Sequence, residues 1–352
     1  MPLSGLFITL SDEKTLRLYL SKGIYGFQMP PIRGEVPKRS KHYAVLSDYA
    51  CARKGTHVFF FLERKIIYGG QVVGSKKYGA FYLNGPYSPL GRKANSKVCW
   101  DESSRYMPTG NPGIFRRPKD DKEVCQPYLL MFKDKIGLKG YVIKSDQLYF
   151  ELGKYPYPLP SNSIVGMGFC TLTPGETEIA LALIEKEPIE YIEPCTDEDI
   201  KLLCQPLPFS PKYGISSMKE ATSEDHLKAS IIANPQLLPE FLRPKNAVIF
   251  REVPLSPFKP YRWMDRADIC YYSDDLICDG TVPNVVIEVK NKKCGKNEIE
   301  QLIRYIRWLY KILDDKANKI EFHLVAPSVS IKAKSEIPQR FKNKIEFYEF
   351  AK

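Results

Sequence analysis

A succession of short apolar runs and one long amphipathic run, over residues 247–350, constrains the fold of this chain more than any other feature. The runs "AVIFREVPL", "RADICYY" and "NVVIEVK" are rich in β-branched and aromatic residues, and their lengths suit strands. The run "EIEQLIRYIRWLYKIL" places apolar residues three and four apart, which predicts an amphipathic helix over 298–313. Two further strand-like runs, "KIEFHLVAP" and "KIEFYEF", follow it. The succession predicts a mixed α/β sheet.

The organisation of the whole chain follows from its length and from one proline-rich stretch. A chain of 352 residues exceeds what one core usually serves, which favours two domains. The first half is rich in aromatic and turn-forming residues, and "LKGYVIKSDQLYFEL" (138–152) predicts a hairpin about Ser145. We therefore predict an α/β (α+β) chain of two domains: a β-rich, barrel-like domain over 1–204, a linker over 205–217, and a mixed sheet flanked by helices over 218–352.

The composition narrows the function classes. Lysine and arginine number 52 against 41 acidic residues, and the net charge of +11 favours a polyanionic partner such as nucleic acid or a membrane surface. The N-terminal stretch lacks the pattern of a secretory signal, and no apolar run reaches the roughly 18 residues of a membrane-spanning helix. We expect a cytoplasmic protein without a membrane partner. The nine cysteines form no Cys-x-x-Cys pair, so we expect reduced thiols and no structural zinc.

Two charged residues interrupt the apolar run "NVVIEVK". Glu288 and Lys290 are two apart, so on a strand both side chains project from one face. Asp268, in the preceding run, can lie opposite Glu288 if the two strands pair. Two carboxylates converging from neighbouring strands form a hard oxygen site for Mg²⁺ or Mn²⁺, completed by backbone carbonyls, water and substrate phosphate. Such a site suits phosphodiester cleavage.

An Asp followed by Glu-x-Lys on the next strand resembles the pattern of the PD-(D/E)xK nucleases. Over residues 218–350, the succession "SEDHLKASIIANPQLL", "LRPKNAVIFREVPL", "DRADICYY", "VVIEVK" and "EIEQLIRYIRWL" is similar to the NucS/EndoMS-like DNA endonucleases. The resemblance implies a restriction-endonuclease-like domain that hydrolyses double-stranded DNA with Mg²⁺ or Mn²⁺. This sequence departs from the family's Gly-Arg-Ile-Asp, which is replaced by Asp265-Arg266-Ala267-Asp268, and in a longer loop before Glu288.

The resemblance also assigns residues to the chemistry. It makes Asp268 and Glu288 the metal ligands, with the backbone of Val289 as a third. It makes Lys290 the catalytic lysine. The carboxylates have a plainer alternative, because either can form a simple ion pair with a neighbouring basic residue.

Two predicted helices contribute the remaining site residues. "TSEDHLKASIIANP" begins with a capping-box pattern from Thr222 to Asp225, and the resemblance places its Glu224 near the metal or the lysine. Gln301 and Tyr305 are four apart and share one face of the following helix, from which the resemblance has them line the same site. A glutamate in the first turn of a helix is also favoured by the helix dipole alone, and Tyr305 can simply pack. Basic residues near the site would contact DNA phosphates: Lys292, Lys293, Lys296 and Arg304. The alternative for the three lysines is a turn that is simply solvated.

The first half resembles the EVE and other PUA-like barrels in "DYACARKGTHVFFFLERKIIYGGQVVG". That resemblance implies a pocket that holds a modified or flipped base by stacking on aromatic rings. The rings available for it are those of Tyr43, Tyr49, Phe59, Phe61, Tyr68, Tyr78, Phe81, Tyr82, Tyr87 and Trp100. Aromatic residues in sheets mostly fill cores, which is the alternative.

Together these features predict a metal-dependent DNA endonuclease whose first domain recognises a modified base, as in a modification-dependent restriction enzyme. A mismatch or branched-DNA repair endonuclease is the first alternative, and a catalytically inactive nucleic-acid-binding protein is the second. RNA as the ligand of the first domain stays open. Cutting both strands requires two active sites, so we expect a homodimer.

Overall fold

The structure, a computed structural model, describes residues 1–10, 12–26, 40–73, 81–83, 107–108, 114–117, 122–125, 128–152, 169–184, 215–256 and 265–351. Within these ranges the chain forms a mixed α/β fold with two larger sheets, one in each half. No helix in the same ranges is long and apolar enough to cross a membrane. Residues 205–214 of the predicted linker lie outside them.

The first half is built on an open sheet. Its elements are β1 (Gly5–Thr9), α1 (Glu13–Lys22), β2 (Ile24–Gly26), α2 (Ser40–Cys51), β3 (His57–Leu62), β4 (Lys65–Val72), β5 (Phe81–Leu83), β6 (Met107–Pro108), β7 (Ile114–Arg117), β8 (Lys122–Cys125), β9 (Tyr128–Lys133), β10 (Val142–Lys144), α3 (Ser145–Leu152), β11 (Cys170–Leu172) and α4 (Pro174–Ala182). Six strands pair in the order β11-β1-β3-β4-β9-β2, with β10 beside β4 and β5 beside β9, and β6 to β8 form a small sheet. A β-rich first half is confirmed, but the described strands do not close into a barrel.

The predicted hairpin about Ser145 is wrong. The strand β10 ends at Lys144, and α3 begins directly at Ser145. Serine and aspartate suit a helix start as well as a turn, because an acidic residue in the first turn, here Asp146, is favoured by the helix dipole. Leu148 on this helix is buried against the sheet, so tertiary packing decides for the helix.

The aromatic side chains of the first half fill its core. Tyr43, Tyr49, Phe59 and Tyr68 are fully buried, and Phe61 packs against an apolar cluster. These rings therefore do not line an open base pocket, and for them the alternative of core packing is confirmed. The side chains of Tyr78, Phe81, Tyr82, Tyr87 and Trp100 lie outside the described part of the chain.

The second half confirms the predicted mixed sheet. Its elements are α5 (Glu224–Ala233), β12 (Val248–Ser256), β13 (Asp265–Tyr272), β14 (Val285–Val289), α6 (Lys296–Leu313), β15 (Glu321–Ala326), α7 (Ile331–Ser335), α8 (Gln339–Lys342) and β16 (Ile345–Glu349). The strand order is β12-β13-β14-β15-β16. The first three strands pair antiparallel and the last three pair parallel, so α6 is the crossover between β14 and β15. Its predicted apolar face packs on the sheet.

The apolar interiors of the two halves are continuous. One buried cluster joins α2 and β3 of the first half to α5, β13 and β14 of the second. The Tyr43 ring of α2 stacks on His226 of α5, with ring centroids 4.4 Å apart. The buried guanidinium of Arg251 on β12 pairs with the buried carboxylate of Asp48 on α2. The division into two domains at the linker stays a prediction.

Candidate active site

The ends of β13 and β14 place two carboxylates side by side. The antiparallel pairing of these strands runs from Tyr271 and Val285 to Ile269 and Ile287. One residue further along, the same register sets Asp268 opposite Glu288. There the Val289 amide donates to Asp268 Oδ2 at 2.8 Å. At the point where the strands stop pairing, the Asp268 carboxylate thus accepts a hydrogen bond from the backbone of the neighbouring strand. This bond holds the carboxylate in place.

The ammonium group of Lys290 contacts all three of the acidic residues predicted for the site. Its Nζ lies 2.8 Å from Glu288 Oε1, 3.0 Å from Glu224 Oε1 and 3.5 Å from Asp268 Oδ2. Asp268 and Glu288 are only 4% and 1% exposed, whereas the side chain of Glu224 is 31% exposed. The structure therefore brings these four residues together, with Glu224 on the solvent side.

The helix that carries Glu224 begins one residue later than predicted. Ser223, not Thr222, is the N-cap, and its hydroxyl accepts from the amide of His226. Thr222 Oγ1 instead lies 3.1 Å from His226 Nδ1. With Ser223 as the cap, Glu224 and Asp225 occupy the first turn, where the helix dipole favours carboxylates.

Lys228, one turn further along α5, is a site residue that the sequence pattern does not single out. Its buried Nζ lies 3.0 Å from Asp268 Oδ1, 3.2 Å from Glu252 Oε1 and 3.3 Å from Asp225 Oδ1. The available signal was a lysine within a largely apolar stretch of the helix, "LKASII", because a buried lysine requires a partner.

Glu252 is the second site residue that the sequence pattern does not single out. It lies in β12 between Arg251 and Val253, which pair with Ile269 and Ala267 of β13, so it stands beside Asp268. Its φ of 52° is in the left-handed region that L residues rarely adopt, at a cost of about 1–2 kcal/mol. Backbone strain of this kind clusters at functional sites.

Gln301 and Tyr305 reach the site from α6. Gln301 Nε2 donates to the Tyr305 hydroxyl at 2.7 Å, and that hydroxyl donates to the carbonyl oxygen of Arg266 at 2.8 Å. The same hydroxyl lies 3.5 Å from Glu288 Oε2. Tyr305 thus packs in the core and also contacts the site, so the two interpretations from sequence are compatible.

The predicted phosphate contacts differ in their surroundings. Arg304 Nε donates to Asp265 Oδ2 at 2.6 Å, so this arginine is engaged by an acidic residue. The two aspartates of Asp265-Arg266-Ala267-Asp268 therefore have different partners, because Asp265 pairs with Arg304 while Asp268 pairs with Lys228 and Lys290. Lys292 and Lys293 are exposed. Lys296 is also exposed and lies 3.7 Å from Glu300.

The site holds more acidic than basic groups. The ammonium groups of Lys228 and Lys290 contact five carboxylates, those of Glu224, Asp225, Glu252, Asp268 and Glu288. Burial raises the pKa of Glu288 well above its usual range, and the charge of Asp268 raises it further. Burial would also raise the pKa of Asp268, but the two ammonium groups outweigh it and hold that pKa below its usual value.

This donor set fits a hard divalent cation. Among the described residues, no group of three or more His, Cys, Asp or Glu side chains is arranged to hold a metal ion. Mg²⁺ does not require one, because it is usually bound by one or two carboxylates together with water and substrate phosphate. Asp268 and Glu288 supply two such carboxylates within a cluster of excess negative charge. The ligand roles of these two residues and of Val289 stay predictions.

Comparisons with known proteins give low similarities. No family model matches the chain, and no curated protein matches it. Among solved structures it is similar to a repair endonuclease from Pyrococcus abyssi, with 24% identity, a TM-score of 0.23, and coverage of 34% of this chain and 42% of the other. A structure of EndoMS in apo form has 22% identity, a TM-score of 0.24, and coverage of 37% and 47%. A complex of EndoMS with double-stranded DNA has 14% identity, a TM-score of 0.25, and coverage of 94% and 98%. The chain thus spans less than half of the first two.

Proposed function

We propose that this chain is a metal-dependent DNA endonuclease. The observation that carries the proposal is the convergence of Asp268, Glu288 and Lys290 at the ends of two paired strands, where both carboxylates lie within 3.5 Å of the Lys290 ammonium group. Glu224 completes the cluster from α5. A single surface ion pair does not account for this arrangement, because the two strand carboxylates are buried side by side and share the ammonium group of Lys290, and the charge of Asp268 raises the pKa of Glu288.

The residues around this centre have distinct chemical tasks in the proposed reaction. Burial lowers the pKa of Lys290, but the charges of Asp268, Glu288 and Glu224 outweigh burial and raise it above its usual value. Lys290 is therefore an ammonium donor that orients a water or stabilises charge on the phosphate, not a base. Asp268 and Glu288 would hold Mg²⁺ or Mn²⁺. When bound, the cation would lower the pKa of a water molecule and neutralise charge at the phosphate.

We propose double-stranded DNA as the substrate and a homodimer as the active form. The net charge of +11 suits a polyanion, and the exposed Lys292 and Lys293 follow the Glu-x-Lys strand directly. Restriction of DNA with modified bases is the proposed role, on the resemblance of the first half. Mismatch or branched-DNA repair is the alternative, and the burial of Tyr43, Tyr49 and Phe59 in the core removes part of the support for a base pocket.

Cleavage assays test the proposal. Purified protein with Mg²⁺ should cut plasmid DNA from methylating or hydroxymethylating hosts more than DNA from a host without modification. Cutting of mismatched oligonucleotides, with equal inertness on all three plasmids, would support repair instead.

Replacement of single residues tests the site itself. Asp268→Asn and Lys290→Met should each lower the cleavage rate by at least about a hundredfold while DNA affinity, measured by fluorescence anisotropy, stays close to that of the wild type. The matched controls are Asp274→Asn and Lys219→Met, because Asp274 pairs with the N-terminal amine and Lys219 lies near the carbonyl of Ala351, away from the site. Cleavage that survives both site replacements would reject the assignment, and the chain would then be an inactive binding protein or would use another centre.

A further inference from the structure

Lys228 is a buried cation whose position the proposed reaction does not explain. Its Nζ is within 3.3 Å of carboxylates on three elements, namely Asp225 on α5, Glu252 on β12 and Asp268 on β13. The more distant Glu224 Oε1 lies at 3.7 Å. Only 7% of the residue is exposed. A lysine side chain loses rotamer freedom on burial. The contacts between its ammonium group and these carboxylates offset that cost.

The two lysines of the site lie on opposite oxygens of one carboxylate. Lys228 is 3.0 Å from Asp268 Oδ1, and Lys290 is 3.5 Å from Asp268 Oδ2. Lys290 also contacts Glu288, where the metal is proposed to bind. Both lysines also lie near Glu224 Oε1, Lys290 at 3.0 Å and Lys228 at 3.7 Å. Lys228 differs in its other partners, because it contacts Asp225 and Glu252 and not Glu288. Asp268 thus faces two separate positions for positive charge.

Such a carboxylate between two cation positions is what a two-metal hydrolytic site presents, with ions about 3.5–4 Å apart. We infer that the ammonium group of Lys228 takes the place of a second divalent cation, so that this site binds one metal ion per chain. The inference rests on the proposed function. In this role Lys228 is a positioning residue: it holds Asp268 and neutralises the carboxylates that would otherwise take up a second ion.

The position of Lys228 is stabilised by Glu252 and by the residues that contact Glu252. Glu252, whose backbone has a positive φ, places its carboxylate 3.2 Å from the ammonium group. The neighbouring Arg251 lies 3.6 Å from Glu252 through Nη1 and is fixed by its buried ion pair with Asp48. The carboxylate that receives Lys228 is therefore supported by the contact between the two halves of the chain.

Counting bound Mn²⁺ tests the inference without any cleavage assay. The metal alone is titrated into full-length protein without DNA, and binding is followed by calorimetry and by the electron paramagnetic resonance signal of free Mn²⁺. Wild type and Lys228→Arg, which keeps the charge, should each bind one Mn²⁺ per chain. Lys228→Met, of similar length but uncharged, should bind two, and Glu252→Gln added to Lys228→Met should remove the second ion. Lys219→Met is the control and should bind one.

The outcomes separate the inference from the proposed function. One ion in both the wild type and folded Lys228→Met would overturn the inference while leaving the metal site in place. Two ions in the wild type would overturn it whether or not the variant folds. No ion in the wild type, or unchanged binding in Asp268→Asn, would reject the proposed metal site itself.

Discussion

At the scale of single residues, Asp268 shows how the site is assembled. Its carboxylate accepts from the Val289 amide on the adjacent strand and from lysines on α5 and after β14. The two-residue spacing of Glu288 and Lys290 made the position of Lys290 predictable, because side-chain direction along a strand alternates regularly. The pairing of Lys228 with Asp268 was not predictable, since a separation of 40 residues carries no periodic signal.

Tyr305 provides a test of the contact between α6 and the site. Tyr305→Phe removes the hydroxyl that donates to the carbonyl of Arg266 and accepts from Gln301. Because the hydroxyl is partly buried and its partners lose a hydrogen bond, the free energy of unfolding should fall by about 1–2 kcal/mol. Urea denaturation measures it. Tyr310→Phe on the same helix is the matched control, because its hydroxyl bonds the exposed Asn318. Equal effects of the two replacements would contradict the prediction.

At the scale of elements, the local sequence pattern was sufficient to predict a helix or strand where one face of that element is apolar. The spacing of apolar residues on α6 and the apolar runs of β12 to β16 correspond to what the structure shows. The same patterns did not predict where two helices begin, because one starts at Ser145 and the other is capped by Ser223. Turns and helix caps use the same residue types, so packing of the following residues selects between them.

The start of α4 makes a prediction about pH. Glu176 Oε2 accepts from the Thr173 amide in a capping box, while Oε1 is buried without a hydrogen-bond partner among the described residues. Burial raises the pKa of Glu176 to about 7, whereas its ordinary value is 4.5. Between these values the folded chain keeps a proton that the unfolded chain has released, so stability falls as pH rises from 4.5 to 7. The loss above this window should reach roughly 3 kcal/mol.

Glu176→Gln should remove this dependence, because an amide does not ionise. Urea unfolding at pH 5 and pH 8 should then show the variant gaining stability over the wild type only at the higher pH. Glu178→Gln, an exposed carboxylate of the same helix, is the control and should follow the wild type at both values. A variant of Glu176 that tracks the wild type at both pH values would disprove the assignment.

At the scale of the whole molecule, the contact between the halves is more extensive than a linker between independent domains requires. The apolar cluster shared by α2 and α5 predicts that both halves unfold together. The Arg251 and Asp48 pair is buried within this contact. Removing one partner of a buried ion pair leaves an uncompensated charge and typically costs about 3–5 kcal/mol.

A double-mutant cycle tests this contact. Asp48→Asn and Arg251→Met should each destabilise strongly by denaturant unfolding, and the double replacement should cost less than the sum of the two. The exposed pair of Arg64 and Asp146 is the matched control, and its loss should leave the free energy of unfolding close to that of the wild type. Additive effects at Asp48 and Arg251 would show that the pair does not couple the halves.

The sequence by itself determined the mixed sheet of the second half, the amphipathic α6, and the shared faces of Glu288 with Lys290 and of Gln301 with Tyr305, because each depends on the short repeat of a strand or a helix. The meeting of these faces at one site was implied only by the family resemblance. Only the tertiary structure decided that the first-half aromatic rings Tyr43, Tyr49, Phe59 and Tyr68 fill a core and that Lys228 and Glu252 belong to the site. These outcomes depend on contacts between segments far apart in the chain, where burial requires each charge to find a partner.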